Sequence, residues 1–267
     1  MTINPANVDY TETGTGPLIV LVHSSASNAR QWRQLMDDLN GRYHLIAINL
    51  FGYGTTPPWS GPNHQTLKNH ADLVESIIPK QNKNICIVGH SFGGSVAMKT
   101  AAQLPDRVDR LILLDPNPFP LLKERGRTAA FNEILALRNY VKECGDNGDW
   151  ASAGKRFADY WGSPGTWETM SEKRRANFIS SIPPNYFEWD AVMNEETTLA
   201  EWYACLPRRT LVVTAQNTPR PTRELYELMQ QTCEDWYFED VPCGGHMAPV
   251  THPGLVNPII EKFAVKS

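Results

Sequence analysis

The sequence predicts an α/β domain with a doubly wound, mostly parallel sheet and a helical cap inserted between two of its strands. Three observations lead there. Short apolar runs rich in β-branched residues recur up to Asp115, each the length of a strand and too short for a helix. Helical patterns separate these runs, which is the rhythm of β-α-β units. After Pro116 the rhythm gives way to a long helical stretch, and it resumes at Thr210.

Taken in order, Leu18-Ile19-Val20-Leu21-Val22 has no polar alternation and suits a strand buried on both faces. Ala29 to Leu39 follows as a helix, with Trp32, Leu35, Met36 and Leu39 on one side. Tyr43 to Ile48 is the next strand, broken by the turn Phe51-Gly52-Tyr53-Gly54. Thr66 to Ile78 reads as a helix, Asn84 to Val88 as a central strand, Ser95 to Leu104 as a helix and Arg110 to Leu114 as a strand. Pro116, Pro118 and Pro120 then hold the chain extended and stop any helix. Leu121 to Leu199 is patterned as helix throughout. A strand at Thr210 to Thr214, a helix at Thr222 to Gln231, a strand at Asp235 to Phe238 and a closing helix at Pro253 to Phe263 complete the chain. The expected organisation is a core of residues 1–116 and 205–267, with residues 117–204 forming a lid over the strand ends. Open α/β sheets bind their ligands there.

The 267 residues can bury one substantial core. A hydrophobic content of 41% with 20% charged residues describes an ordinary globular protein. The net charge of −4 leaves no basic footprint, and Lys123-Glu124-Arg125 and Lys173-Arg174-Arg175 read as solvated helix faces. Neither nucleic acid nor a membrane is an expected partner. Met1 to Asp9 lacks a basic segment followed by an apolar stretch, and the longest apolar run, Leu18 to Val22, is too short to cross a bilayer. Cys86, Cys144, Cys205, Cys233 and Cys243 are odd in number, widely spaced and without a C-x-x-C pair. That pattern fits reduced thiols in a cytoplasmic setting better than a zinc site or a disulfide framework. No metal and no cofactor is expected.

The chemistry is carried by Gly89-His90-Ser91-Phe92-Gly93-Gly94, lying directly after an apolar strand and directly before a helix. Small residues on both sides allow a sharp strand-to-helix turn that lifts the Ser91 hydroxyl into the open. The helix N-terminus behind it offers free N–H groups and a positive dipole end, both favourable to a developing oxyanion.

From the first strand and its His23 to the C-terminal His246, the chain resembles the α/β-hydrolases over nearly its whole length. The resemblance implies a sheet under a helical cap and a nucleophile at Ser91. It also implies a general base at His246, within Cys243-Gly244-Gly245-His246-Met247; His252, six residues on, reads as a surface histidine. The backbone N–H groups of Phe92 and Ser25 would form the oxyanion hole. Many relatives carry His-Gly where this chain has His23-Ser24, so the Ser24 and Ser25 hydroxyls become candidates for orienting a carbonyl.

The third triad member is less obvious. In much of the family a carboxylate follows the strand after the cap, but Thr218 stands at that position and no Asp or Glu occurs from Leu211 to Arg223. Asp115, at the end of the strand before the cap, is the natural substitute. Asp240 and Glu239, nearer His246 in sequence, are the alternatives.

The cap is rich in aromatic residues, most of which must pack it onto the sheet. Trp161 beside Tyr160, Trp189 at the end of Tyr186 to Trp189, and Phe119 are candidates for a substrate pocket, with Trp59 at its border. The expected activity is hydrolysis of a small carboxylic ester with an apolar acyl or alcohol group, through an acyl-enzyme. Dehalogenases and epoxide hydrolases of this fold need a carboxylate nucleophile, and Ser91 occupies that place. Carbon–carbon bond hydrolysis, lactone opening, a hydroxynitrile-lyase-like elimination and a non-catalytic ligand receptor remain open as alternatives.

Overall fold

The computed structural model describes residues 4–265, so the first three residues of the segment read for a targeting signal lie outside it. Seven strands form one sheet: β1 (Tyr10–Thr13), β2 (Leu18–Val22), β3 (His44–Ile48), β4 (Ile85–His90), β5 (Val108–Leu114), β6 (Thr210–Ala215) and β7 (Tyr237–Val241). Their order is β1-β3-β2-β4-β5-β6-β7, with β1 antiparallel to β3 and every other pair parallel. The doubly wound, mostly parallel sheet read from the sequence is therefore present. Strand order reverses between β2 and β4, which opens a crevice at their C-terminal ends. Ser24 and Ser91 both lie at that crevice, each just past the end of its strand.

The helices before the long insertion are α1 (Arg33–Leu39), entered through a 3-10 turn at Ala29–Trp32, α2 (Leu67–Ser76) and α3 (Phe92–Gln103). Seven more lie between β5 and β6: α4 (Pro120–Glu124), α5 (Thr128–Asp146), α6 (Trp150–Trp161), α7 (Thr166–Thr169), α8 (Glu172–Ser181), α9 (Pro183–Met193) and α10 (Leu199–Cys205). After β6 come α11 (Arg220–Thr232), α12 (Ala248–Thr251) and α13 (Pro253–Val265).

Alternation along the central strands sorts the core into two layers. Ile19, Leu21, Val88, Ile112 and Val213 face α1 and α13, where Trp32, Leu35, Leu39 and Ile260 cover them. Val20, Val22, Ile87, Leu113 and Val212 face the opposite way and belong to a larger cluster that continues through Val96, Phe119 and Leu137 to Trp161, Trp189 and Trp202. Sheet and inserted helices thus share one apolar interior.

Several elements differ from the sequence reading: Pro120 opens α4 instead of stopping a helix, since a proline suits the first helical turn, and three further differences have equally plain causes. β1 was not foreseen because Tyr-Thr-Glu-Thr is a largely exposed edge strand with no apolar face. α3 begins at Phe92, three residues early, because Ser91 itself is the residue at which strand becomes helix. The last strand runs Tyr237–Val241, because its pairing with β6 extends from Tyr237 to Val241 although only Val241 is buried, so its apolar pattern is weak.

Close packing at the start of α3 depends on Gly93. A Cβ there would overlap the carbonyl oxygens of Val22 and His23 at the end of β2. Gly93→Ala must push α3 away from the sheet, and we expect it to cost about 2–3 kcal/mol in stability, read as a lower urea midpoint. An unchanged midpoint would contradict this packing.

Candidate active site

Ser91 has φ 55° and ψ −119°, a conformation that side-chain-bearing residues rarely adopt. It is held by its own N–H donating to the Leu114 carbonyl at 2.9 Å and by the buried strand and helix on either side. The turn aims Ser91 Oγ at His246, whose Nε2 lies 2.9 Å away. The other ring nitrogen, Nδ1, is 3.2 Å from Asp115 Oδ2. With Nδ1–H donating to the carboxylate, Nε2 is left as the acceptor for the serine proton. Ser91, His246 and Asp115 are all buried. Asp115 also has a left-handed backbone, at φ 43°, just past the end of β5. Gly244 and Gly245, at φ 100° and 55°, let the loop after β7 turn and present the imidazole.

Thr218 contributes what the sequence did not suggest. Its hydroxyl donates to Asp115 Oδ2 at 2.6 Å, so the loop after β6 touches the carboxylate without supplying one. Asp240 instead pairs with Arg223 at 2.8 Å, Glu239 is exposed, and the His252 ring hydrogen-bonds the Thr251 hydroxyl. None of these three contacts His246.

The N–H groups of Ser25 and Phe92 receive no acceptor among the described residues, and both residues line a narrow pocket beside Ser91. Phe92 is the first residue of α3, where a helix leaves its amide free. Ser24 is fixed differently, with its N–H and hydroxyl both donating to Gln31 Oε1 at 3.2 and 3.0 Å. Gln31 Nε2 in turn reaches His90 Nδ1 at 3.1 Å, and His90 Nε2 meets the His246 carbonyl at 2.9 Å. Because that carbonyl can only accept, His90 is neutral with its proton on Nε2. By the same reasoning His23 carries its proton on Nδ1, since its Nε2 accepts from the Leu50 N–H and its Nδ1 donates to the Ser24 carbonyl. A buried polar chain thus runs from the β2 loop to the loop that bears His246.

Above Ser91, Trp161 lies against the His246 ring with centroids 4.2 Å apart. Trp161 and Trp189 both face the narrow pocket, while Phe119 stacks behind both of them and does not line it. Trp59 packs on Phe51, away from these cavities.

A family model described as the alpha/beta hydrolase fold matches residues 17–253. The chain belongs to the α/β-hydrolase family. A soluble epoxide hydrolase from Corynebacterium sp. (strain C12) is 27% identical to this hydrolase, over 98% of the chain and 94% of its own length. A pimeloyl-[acyl-carrier protein] methyl ester esterase from Nitrosospira multiformis is 25% identical over 96% of the chain and 97% of its own length. Among solved structures, a thermophilic esterase from Thermogutta terrifontis superposes with a TM-score of 0.75 at 24% identity, covering 96% of this chain and 92% of that one. That likeness speaks to fold alone. Among the described residues, no helix is long and apolar enough to cross a membrane.

Two cavities meet at Ser91 in this hydrolase. The wider, of about 390 Å³, is lined by Ser24, His246, Met247, Ala158, Met170 and Phe178, among others. The narrow one has about 10 Å³ of free space, the room of a single water. Its lining includes Asn117, Asn185 and Glu188, polar residues that no sequence pattern marked out.

Burial dominates the ionisation of this region. It lowers His23 to about 4 and His70 and His90 to about 3, and it pushes Glu188 up to about 7 against hydrogen bonds from Ser25, Asn185 and Tyr53. Below pH 6.5 the unfolded chain protonates these histidines and the folded chain does not, so stability is lost as the pH is lowered. Glu188 opposes this between about pH 4.5 and 7, where the folded state holds the extra proton. The net difference is about two protons, a loss of roughly 2–3 kcal/mol per pH unit from pH 6.5 to 4.5. Urea titrations across that range should reveal this slope, and a flat profile would contradict the buried neutral histidines.

Proposed function

We propose that this hydrolase cleaves carboxylic esters by nucleophilic catalysis at Ser91. The reading is carried by one observation, the unbroken chain from Ser91 Oγ through His246 to Asp115 beside two unpaired backbone N–H groups. His246 Nε2 takes the Ser91 proton as Oγ bonds to the carbonyl carbon, and Asp115 stabilises the resulting imidazolium. The carbonyl oxygen, now negative, is held by the Ser25 and Phe92 N–H groups. The imidazolium then returns its proton to the alkoxide as the C–O bond breaks, leaving Ser91 acylated. Water repeats the sequence from the same side, with His246 again as base, and releases the acid.

The leaving alcohol has to lie where His246 can protonate it. That favours the wider cavity for the alcohol, because His246 lines it and does not line the narrow one. Met170, Phe178, Met247 and Val250 on its walls suit an apolar alcohol. Epoxide opening, suggested by the name of the Corynebacterium relative, requires a carboxylate at the attacking position to form an alkyl ester, and a hydroxyl there favours acyl transfer instead.

The test is hydrolysis of p-nitrophenyl esters, with epoxides as controls. Ser91→Ala should abolish turnover, and Asp115→Asn should lower kcat about 10⁴-fold by removing the charge that orients His246. An active Ser91→Ala protein, or turnover confined to epoxides, would overturn the assignment. Thr218→Val removes the hydrogen bond to Asp115 while keeping its shape, and should lower kcat by about tenfold with little change in KM. An unaltered kcat would mean that Asp115 is positioned without it.

A further inference from the structure

The narrow pocket contains polar groups that the ester mechanism leaves unused. Glu188, on α9, is 2% exposed, and Asn185 one turn before it is 3% exposed. The Asn185 amide donates to Glu188 Oε2 at 3.1 Å. The Ser25 and Tyr53 hydroxyls also face this carboxylate, but Glu188 Oε1 and Asn185 Oδ1 accept no hydrogen bond of normal geometry among the described residues. The indole N–H groups of Trp161 and Trp189, on the same pocket, likewise find no acceptor. Buried oxygens without donors are costly, on the order of 1–3 kcal/mol each. Two of them beside two unpaired indoles, next to a reactive serine, describe a site completed by something that both donates and accepts.

Its size and position narrow the choice. The free space is that of one water, hence also of one hydroxyl. Phe92 lines this pocket and not the wider one, and Ser25 lines both, so an ester whose carbonyl oxygen rests on their N–H groups with its alcohol toward His246 has its acyl chain on this side. The alcohol side goes the other way, toward His246.

We propose that Glu188 and Asn185 recognise a hydroxyl group carried on the acyl side of the substrate, close to the carbonyl, making esters of small hydroxy acids the preferred class. The hydroxyl donates to the carboxylate or amide oxygen and accepts from an indole N–H, which an alkyl group of the same size cannot do. An ammonium would satisfy only the acceptors. This inference rests on the esterase reading and specifies its substrate.

The experiment compares isosteric p-nitrophenyl esters with the wild-type protein: 2-hydroxypropanoate, 2-methylpropanoate and 2-aminopropanoate, together with 3-hydroxypropanoate and butanoate. We expect kcat/KM to favour the hydroxy ester over its alkyl isostere about 10- to 100-fold in at least one pair. In Glu188→Leu that ratio should fall to one or below. Equal or lower kcat/KM for the hydroxy ester in both pairs overturns the proposal, as does a preference for the amino ester alone. A ratio that survives Glu188→Leu also overturns it. Should no ester be hydrolysed, the esterase reading fails by itself. The pocket is then judged by binding of 2-hydroxypropanamide and 2-methylpropanamide to Ser91→Ala, followed by tryptophan fluorescence. Tighter binding of the hydroxy amide supports the pocket assignment and equal binding overturns it.

Discussion

The conformation of Ser91 is the constraint on which the rest of this molecule hangs. A side-chain-bearing residue at φ 55° is strained by about 1–3 kcal/mol, and nothing local relieves it. What holds it is global: β4 is buried along its whole length, α3 packs directly over β2 at Gly93, and the Ser91 amide is fastened to β5. Of the four other left-handed non-glycine residues, Asn84 precedes β4, while Ala26, Asp115 and Asn217 sit in the loops that follow β2, β5 and β6. The strain collects at the C-terminal edge of the sheet, where a rigid scaffold can bear it and the reactive groups must meet.

Neutral histidines carry that rigidity between loops. His23 and His90 each use both ring nitrogens on defined partners, so each is locked in one tautomer. Through Gln31 they tie the backbone around Ser24 to the carbonyl of His246, residues far apart in sequence. Burial keeps these rings uncharged, which leaves His246 as the imidazole at the site that lies between a carboxylate and a hydroxyl.

Much of this was legible in the sequence because buried parallel strands write themselves as apolar runs, and because the turn at Gly89 to Gly94 needs its small residues. The edge strand β1 was not legible, since an exposed strand carries no hydrophobic signature. The pairing of Asp115 with His246 could be framed as a choice of carboxylates, but only the sheet order, with β5 between β4 and β6, brings it within reach. Glu188 and Asn185 left no trace. They lie in Pro-Pro-Asn-Tyr-Phe-Glu-Trp, where a glutamate on a helix reads as a solvent-facing residue. Their burial is decided by the packing of α9 against the loops after β2 and β3, where Ser25 and Tyr53 meet Glu188, and no local pattern encodes that. The same holds for Phe119, an aromatic at a loop end that serves as backing for two tryptophans and not as pocket wall.

The Thr218 hydroxyl resting on Asp115 bears on how such a site can change over time. Two neighbouring strand ends, those of β5 and β6, converge on one carboxylate next to one imidazole. A lineage could therefore hand the acid from one strand to the other through an intermediate bearing both, without the base ever losing its anchor. On the proposed esterase reading, the acid's place then follows which strand bears it, and a search signature built around either strand alone would pass over chains built on the other.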